Sequence, residues 1–234
     1  MKVAIHQPQY WPWPPYLHKL MSADLFVYFD TAQFSKNGLQ NRNQIKTASG
    51  PGWLTLPVKQ GLGQAINEMR LAQPAVLPKH FRTIQMNYAG RLGFVRWQAE
   101  LAALLERPRV LLYDILYAAT EWMLGKLEIS TERIESSSLP VADLAKSELI
   151  AAMCESLGAT EYLTGTGALA YLNPADFSRI GCKILVQTWT AFEYPQAHPK
   201  LGFVPGLSTL DLLLNCPDTA KSLIASAGGW RPLG

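Results

Sequence analysis

The apolar run Val3-Ala4-Ile5 stops at His6-Gln7-Pro8, where the residue before a proline is pushed into extended geometry, so the pattern predicts a first strand over Lys2 to His6. Gln7 to Pro15 then breaks the pattern with four prolines, two tryptophans and a tyrosine. Tyr16 to Met21 follows as a short helix with proline in its first turn. Asp24-Leu25-Phe26-Val27-Tyr28-Phe29-Asp30 reads as a buried strand. Two extended runs lie either side of the turn Ser49-Gly50-Pro51-Gly52. From 78 to 128 the period changes: Trp97, Leu101, Leu104 and Leu105, then Ile115, Leu116, Ala119 and Met123, recur at helical spacing around a break at Pro108.

The second half returns to alternation. A strand is expected over Glu132 to Ser138, then a helix with Leu149, Ile150, Met153 and Leu157 on one face, stopped at Gly158. Glu161 to Thr164 is the next strand, Gly165-Thr166-Gly167 a turn, and Lys183 to Gln187 a further strand. Ser208-Thr209-Leu210-Asp211 before a leucine run has the form of a capping box. Strands alternating with helices give an α/β fold: a Rossmann-like sheet with helices on both faces and an inserted β-hairpin, all in one domain spanning 1–234. In such sheets ligands sit beyond the carboxyl ends of the strands, where His6 and Asp30 fall.

Composition narrows the class without naming a chemistry. With 234 residues, 48% of them hydrophobic, a sizeable core is available, and 21 basic against 18 acidic residues are too balanced to announce a nucleic-acid or membrane-surface protein. Cys154, Cys182 and Cys216 are an odd number without C-x-x-C spacing, which argues for a reducing compartment and against a disulfide framework or thiolate zinc site. There is no apolar run long enough to span a bilayer and no leader-like apolar region, so a soluble, cytoplasmic protein is expected.

Three segments carry chemical content. The proline-stiffened loop from His6 through Tyr16 offers the flat faces of Tyr10, Trp13 and Tyr16 with the hydrogen-bonding tips of His6 and Gln7, as a ligand-facing loop would; covering one end of the sheet is the competing use of the same aromatics. From Thr31 to Ile66 the charged residues are Lys36, Arg42, Lys46 and Lys59, with no carboxylate, which makes the hairpin basic. In an extended Asn41-Arg42-Asn43-Gln44-Ile45-Lys46, period-2 geometry points Arg42 and Lys46 the same way, joined by Lys59 from the returning strand, as a phosphate or carboxylate site requires and as a solvated face also allows. Gly165 and Gly167 after a strand present backbone N–H groups to an anion, yet the third glycine of a dinucleotide fingerprint and the Lys-Ser/Thr of a P-loop are missing. No Gly-x-Ser-x-Gly, His-x-x-x-His or other ligand spacing supports a serine nucleophile or a metal site. Asp30, a carboxylate ending an apolar strand, is a candidate to hold an amine or orient a base.

Read in order, these pieces resemble the WbqC-like protein family: His6-Gln7-Pro8-x-Tyr10-x-Pro12-Trp13 with Tyr16, Asp30 with Gln33-Phe34, Asn41-Arg42-Asn43-x-Ile45-Lys46, Glu161-Tyr162-Leu163 with Gly165, Gly167 and Tyr171, and Leu207-Ser208-x-x-Asp211. The match runs nearly end to end; the departure is Pro14-Pro15 before Tyr16, where the family carries a glycine. What the resemblance implies is a bacterial protein of polysaccharide or O-antigen biosynthesis and, as activity, a glycine transferase acting on an amino sugar. It adds Gln33 and Tyr171 to the binding residues. Acyl transfer to an amine needs a proton acceptor, for which His6 and Asp30 are alternatives, and groups for the oxyanion and the donor, for which Gln7, Asn41, Asn43, Arg42 and Lys46 are available.

The leading expectation is therefore a small-molecule acyl or aminoacyl transferase with an amine acceptor. Its donor stays open among an aminoacyl-tRNA, a carrier-protein thioester, and a free acid with ATP as the nucleotide. The alternatives are a nucleotide-dependent activating enzyme that adenylates or ligates in the same cleft, and a non-catalytic module gripping an anionic ligand. Four cations over residues 31–66 are sparse for a phosphate-backbone binder, which argues against nucleic acid as the partner.

Overall fold

The computed structural model describes residues 1–59, 63–141 and 144–233. In chain order the elements are β1 (Lys2–His6), α1 (Pro14–Ser22), β2 (Leu25–Tyr28), the hairpin β3 (Arg42–Thr47) and β4 (Gly50–Thr55), and then the helices α2 (Val76–Tyr88), α3 (Leu92–Glu106) and α4 (Leu112–Lys126). They continue with β5 (Glu132–Glu135), α5 (Lys146–Ser156), β6 (Glu161–Thr164), α6 (Pro174–Arg179), β7 (Lys183–Trp189), α7 (Thr209–Asn215), α8 (Ala220–Ala227) and β8 (Gly228–Pro232). Six strands make a sheet in the order β5-β2-β1-β6-β7-β8, parallel throughout except that β8 runs antiparallel to β7. From β1 the chain moves outward to β2 and β5, then crosses back to place β6 on the other side of β1. That reversal creates a switch point between the carboxyl ends of β1 and β6, where the two flanking connections leave in opposite directions and open a crevice.

Side-chain alternation along the strands divides the core in two. Val3, Ile5, Leu25, Val27, Tyr162 and Val186 face α5 and α6, against Ile150, Met153, Cys154 and Phe177. Ala4, Phe26, Tyr28 and Leu163 face the opposite layer, with Leu17 and Leu20 of α1, Leu101 and Leu105 of α3, Leu116 of α4 and Leu213 of α7. Helices thus cover both faces, as α/β alternation predicts. No helix of the described residues is long and apolar enough to cross a membrane.

Two local expectations are corrected, and one strand was not foreseen. The terminal strand β8 carries no alternating signal, because Gly228, Gly229 and Pro232 fill three of its five positions; it is held by its register against β7. The expected strand to Ser138 ends at Glu135, and Ser136–Ser138 form a single 3-10 turn. Asp211 does not close a capping box: Tyr88 and Tyr194 each donate a hydroxyl hydrogen bond to its carboxylate, the latter at 2.8 Å, and Ser208 makes no side-chain cap.

The hairpin forms with Arg42 opposite Thr55 and Thr47 opposite Gly50, so its turn is Ala48-Ser49 and not the expected Ser49 to Gly52, of which Gly50, Pro51 and Gly52 open β4. Its cations do not share a solvated face. Ile45 and Lys46 are both buried, since the hairpin is covered on both sides: Asn43 donates to the Trp11 carbonyl at 2.8 Å, and the Lys46 ammonium donates to the Gly202 carbonyl in the crossover from β7 to α7. Period-2 alternation tells inside from outside only when one face of a strand meets water.

Candidate functional site

The crevice at the switch point holds a cleft of about 570 Å³. β1 delivers His6 to its rim, and the chain then turns through the proline-rich loop, with Trp11 in the left-handed region (φ 48°) and fully buried. Pro14 and Pro15 open α1, where their missing N–H groups cost nothing. Tyr16 and Lys19 stand one turn apart on the same face of α1, so both reach the cleft. The turn after β6 contributes Gly165, Thr166 and Gly167, β7 contributes Gln187 and Trp189, and β8 contributes Arg231.

Two of these groups are electrostatically unusual. Lys19 is only 4% exposed, and among the described residues no hydrogen bond or ion pair engages its ammonium. Burial lowers its pKa to about 8. The amine lies 3.5 Å from where a Cβ on Gly165 would stand, so it looks across the cleft at the β6 turn. His6 is pushed down to about 3 by burial and secondarily by the Lys19 charge, against a hydrogen bond that favours the charged form. That bond, 2.9 Å from Nδ1 to the Gln7 carbonyl, fixes the tautomer, because a carbonyl only accepts. His6 is therefore neutral at physiological pH, with Nδ1 protonated and the lone pair on Nε2. Behind it, the Tyr16 ring meets the imidazole edge-on at 4.7 Å, and Gln187 donates to His18 at 2.8 Å. The charged residues lining the cleft are Lys19 and Arg231, without a carboxylate among the described lining residues.

Of the residues singled out from the sequence, the structure brings His6, Trp13, Tyr16, Gly165 and Gly167 together here. The others are placed elsewhere. Gln7 accepts from Gln40 at 2.8 Å beside the cleft, and Tyr10 is a core residue bonded to His80 at 2.9 Å. Asn41 and Asn43 are spent on the backbone carbonyls of Leu56 and Trp11, so Asn41 ties the two ends of the hairpin together and Asn43 fastens the proline-rich loop to it. Arg42 donates to the Asn37 carbonyl and lies 4.4 Å over the Trp53 ring, while Lys46 is tied to Gly202. Lys59 and Gln33 are exposed, and Tyr171 is 46% exposed outside the cleft.

Asp30 does not line the cleft. Its buried carboxylate accepts from Asn67 at 2.9 Å, from Ser136 Oγ at 2.7 Å and from the Ser137 N–H at 3.0 Å, so it clamps the end of β2 to the turn after β5. Asp30→Ala leaves those donors unpaired, and a loss of about 3 kcal/mol of stability is expected. Urea unfolding measures it, and a midpoint equal to the parent's would show that the clamp is dispensable.

Lys19 and Arg231 escaped the sequence reading. Lys19 was findable, three residues after Tyr16 on a predicted helix. Arg231 was not, because nothing in its segment signals a strand.

A model of the WbqC-like protein family matches residues 7–222. The chain is 32% identical over 219 residues, 92% of its own length and 93% of the relative's, to Rv1507c of Mycobacterium tuberculosis, described as an uncharacterized protein. No solved structure matches.

Proposed function

The chain belongs to the WbqC-like protein family, and from that premise we propose that it is a small-molecule acyl or aminoacyl transferase acting on an amine acceptor in the cleft between β1 and β6. Glycine transfer to an amino sugar in polysaccharide biosynthesis is the specific form of this reading that the resemblance implies. The observation that carries it is His6, a neutral imidazole of fixed tautomer at the switch point. An amine that attacks an acyl carbon must lose a proton as the C–N bond forms, and Nε2 is the lone pair available to take it. The acyl carbon's bond to its leaving group then breaks, and the proton passes on to that group or to water. Negative charge on the carbonyl oxygen and the leaving group is met by Lys19 and Arg231, which act strongly in a cleft that burial has partly dried.

A second reading, nucleotide-dependent activation of an acid by adenylation or ligation, is favoured by the same two cations, since a polyphosphate suits a cleft with no carboxylate among its described lining residues. One assay separates the two. The purified protein is incubated with amino sugars and other amines together with an aminoacyl-tRNA, an acyl thioester, or an amino acid plus ATP, and new amides are sought by mass spectrometry. Amide formation from a preformed donor supports the transferase, whereas release of pyrophosphate or ADP from ATP and an amino acid without an amine acceptor supports activation. Arg42→Ala is expected to leave the rate within about twofold, because Arg42 lies outside the cleft. No amide from any pairing, or an undiminished rate in His6→Ala, overturns the transferase reading.

A further inference from the structure

We infer that the cleft binds a phosphoryl group, seated between Lys19 and Arg231 in the space left open beside Gly165. Only the assignment of that group to the acyl donor, as an acyl phosphate or acyl-nucleotide, rests on the transferase reading; the phosphoryl site itself does not.

A buried ammonium is costly unless it is paired, and Lys19, 4% exposed, has no acceptor among the described residues. An ammonium used as a structural tie looks like Lys46, which is buried and bonded to the Gly202 carbonyl. Lys19 is buried and, among the described residues, its ammonium makes no hydrogen bond or ion pair, so its partner is what enters the cleft.

Gly165 supplies the room. Its φ of −93° and ψ of 168° are ordinary extended values open to any residue, so its backbone does not require glycine. A Cβ there would face Lys19 at 3.5 Å and fill the space in front of the ammonium. The missing side chain thus has a steric rationale in the ligand and none in the fold.

The charge count selects the ligand class. Lys19 from α1 and Arg231 from β8 approach from two elements, and no carboxylate lines the cleft among the described residues. A carboxylate is saturated by a single guanidinium fork, while a phosphoryl group offers a point charge to lysine and a pair of oxygens to arginine at once. The Thr166 hydroxyl, also at the lining, is a further donor.

Ionisation supports this. The titratable or charged groups facing Lys19 are His6 from β1, Tyr16 from α1 and Arg231 from β8, with none from the lining turn after β6 or from the lining stretch of β7. Because burial holds the empty-cleft amine near 8, a bound anion must stabilise its charged form, and affinity falls as pH rises past about 8.

Isothermal titration calorimetry of the whole protein against inorganic phosphate, pyrophosphate and ATP, with acetate as the carboxylate comparator, tests the inference. At least one phosphoryl compound should bind at least about tenfold more tightly than acetate. Lys19→Ala and Gly165→Val should each weaken that binding by about tenfold or more while melting stays near the parent's, the first because no protein partner is lost and the second because valine accepts the backbone angles. Lys19→Arg should retain binding and lose the decline above pH 8. A comparison of free phosphate with ATP tells a lone phosphate site from one that holds the phosphates of a nucleotide. Absence of binding by all the phosphoryl compounds, or binding unchanged in Lys19→Ala, overturns the inference. Phosphoryl binding without amide formation from any donor overturns the transferase reading alone, and amide formation from a thioester by a protein that binds no phosphoryl compound overturns this inference alone.

Discussion

His6→Ala should lower turnover about 100-fold while leaving KM within about threefold, the signature of a group that acts as the proton moves and adds little to ground-state binding. The factor is placed at the low end of general-base effects because an imidazole held near pKa 3 is a weak base. His6→Gln retains a hydrogen-bonding side chain but cannot take a proton, so it should fall with the alanine variant rather than rescue the rate. If glutamine restores turnover, His6 only positions the acceptor. The pH profile gives a second check. His6 is neutral well below pH 7, so the decline in rate expected at about 6.5 from an ordinary histidine should be missing, and protonation of the amine acceptor should dominate the acid side. Stability carries the complementary sign. His6 and His80, lowered to about 3 and about 4, bind fewer protons folded than unfolded, so they cost nothing above pH 6.5 and weaken the fold progressively as pH falls from 6.5 towards 3. Chemical denaturation at pH 7, 5 and 4 should show this, and His6→Ala should flatten part of the loss.

The sheet was legible because its strands alternate or run apolar between clear breaks: Val3 to Ile5, Leu25 to Tyr28 and Tyr162 to Leu163 all lie where the pattern puts them. The switch point followed from strand order, which sequence supplies only as an analogy, so His6 and Gly165 were each nominated without being known to share a cleft. The hairpin misled because its chemistry was read as exposure. Asn41 and Asn43 have the polarity of ligand contacts, yet they bond to the carbonyls of Leu56 and Trp11, and Lys46 is buried under the β7–α7 crossover. A polar side chain meets a buried backbone as readily as a substrate, and only tertiary geometry distinguishes them. Asp30 was misleading for the same reason: the burial that makes a strand-end carboxylate attractive as a base also obliges it to accept the hydrogen bonds of Asn67, Ser136 and Ser137. Lys19 illustrates the converse, a helical lysine whose burial without a partner among the described residues is visible only in three dimensions.

The same substitution, glycine to alanine in a helix, should act in opposite directions at two sites. At Gly125, inside α4, a Cβ meets nothing within 4 Å, so Gly125→Ala should gain up to about 1 kcal/mol from restricted unfolded-state freedom and better helix propensity. At Gly93, in the first turn of α3, a Cβ would lie 2.2 Å from the Leu213 carbonyl oxygen and 2.8 Å from the Leu214 Cα. Those atoms are the backbone of α7 and cannot swing aside as a side-chain tip could, so α3 and α7 must separate. The separation strips contacts from Leu213 and Leu214, both fully buried, and loosens the neighbouring Asp211 from Tyr88 and Tyr194. Overpacking of this kind costs about 3 kcal/mol, which outweighs the propensity gain and corresponds to a fall in Tm of about 6–12 °C for a chain of this size. Thermal melts of both variants beside the parent decide the matter: Gly93→Ala melting at or above the parent would mean that α3 and α7 are not in backbone contact. The contrast also bears on the site. α7 carries no lining residue of the switch-point cleft, so a Gly93→Ala protein assayed well below its Tm should bind ligand as the parent does, and reduced affinity there would reveal that α3–α7 packing supports the cleft from across the core.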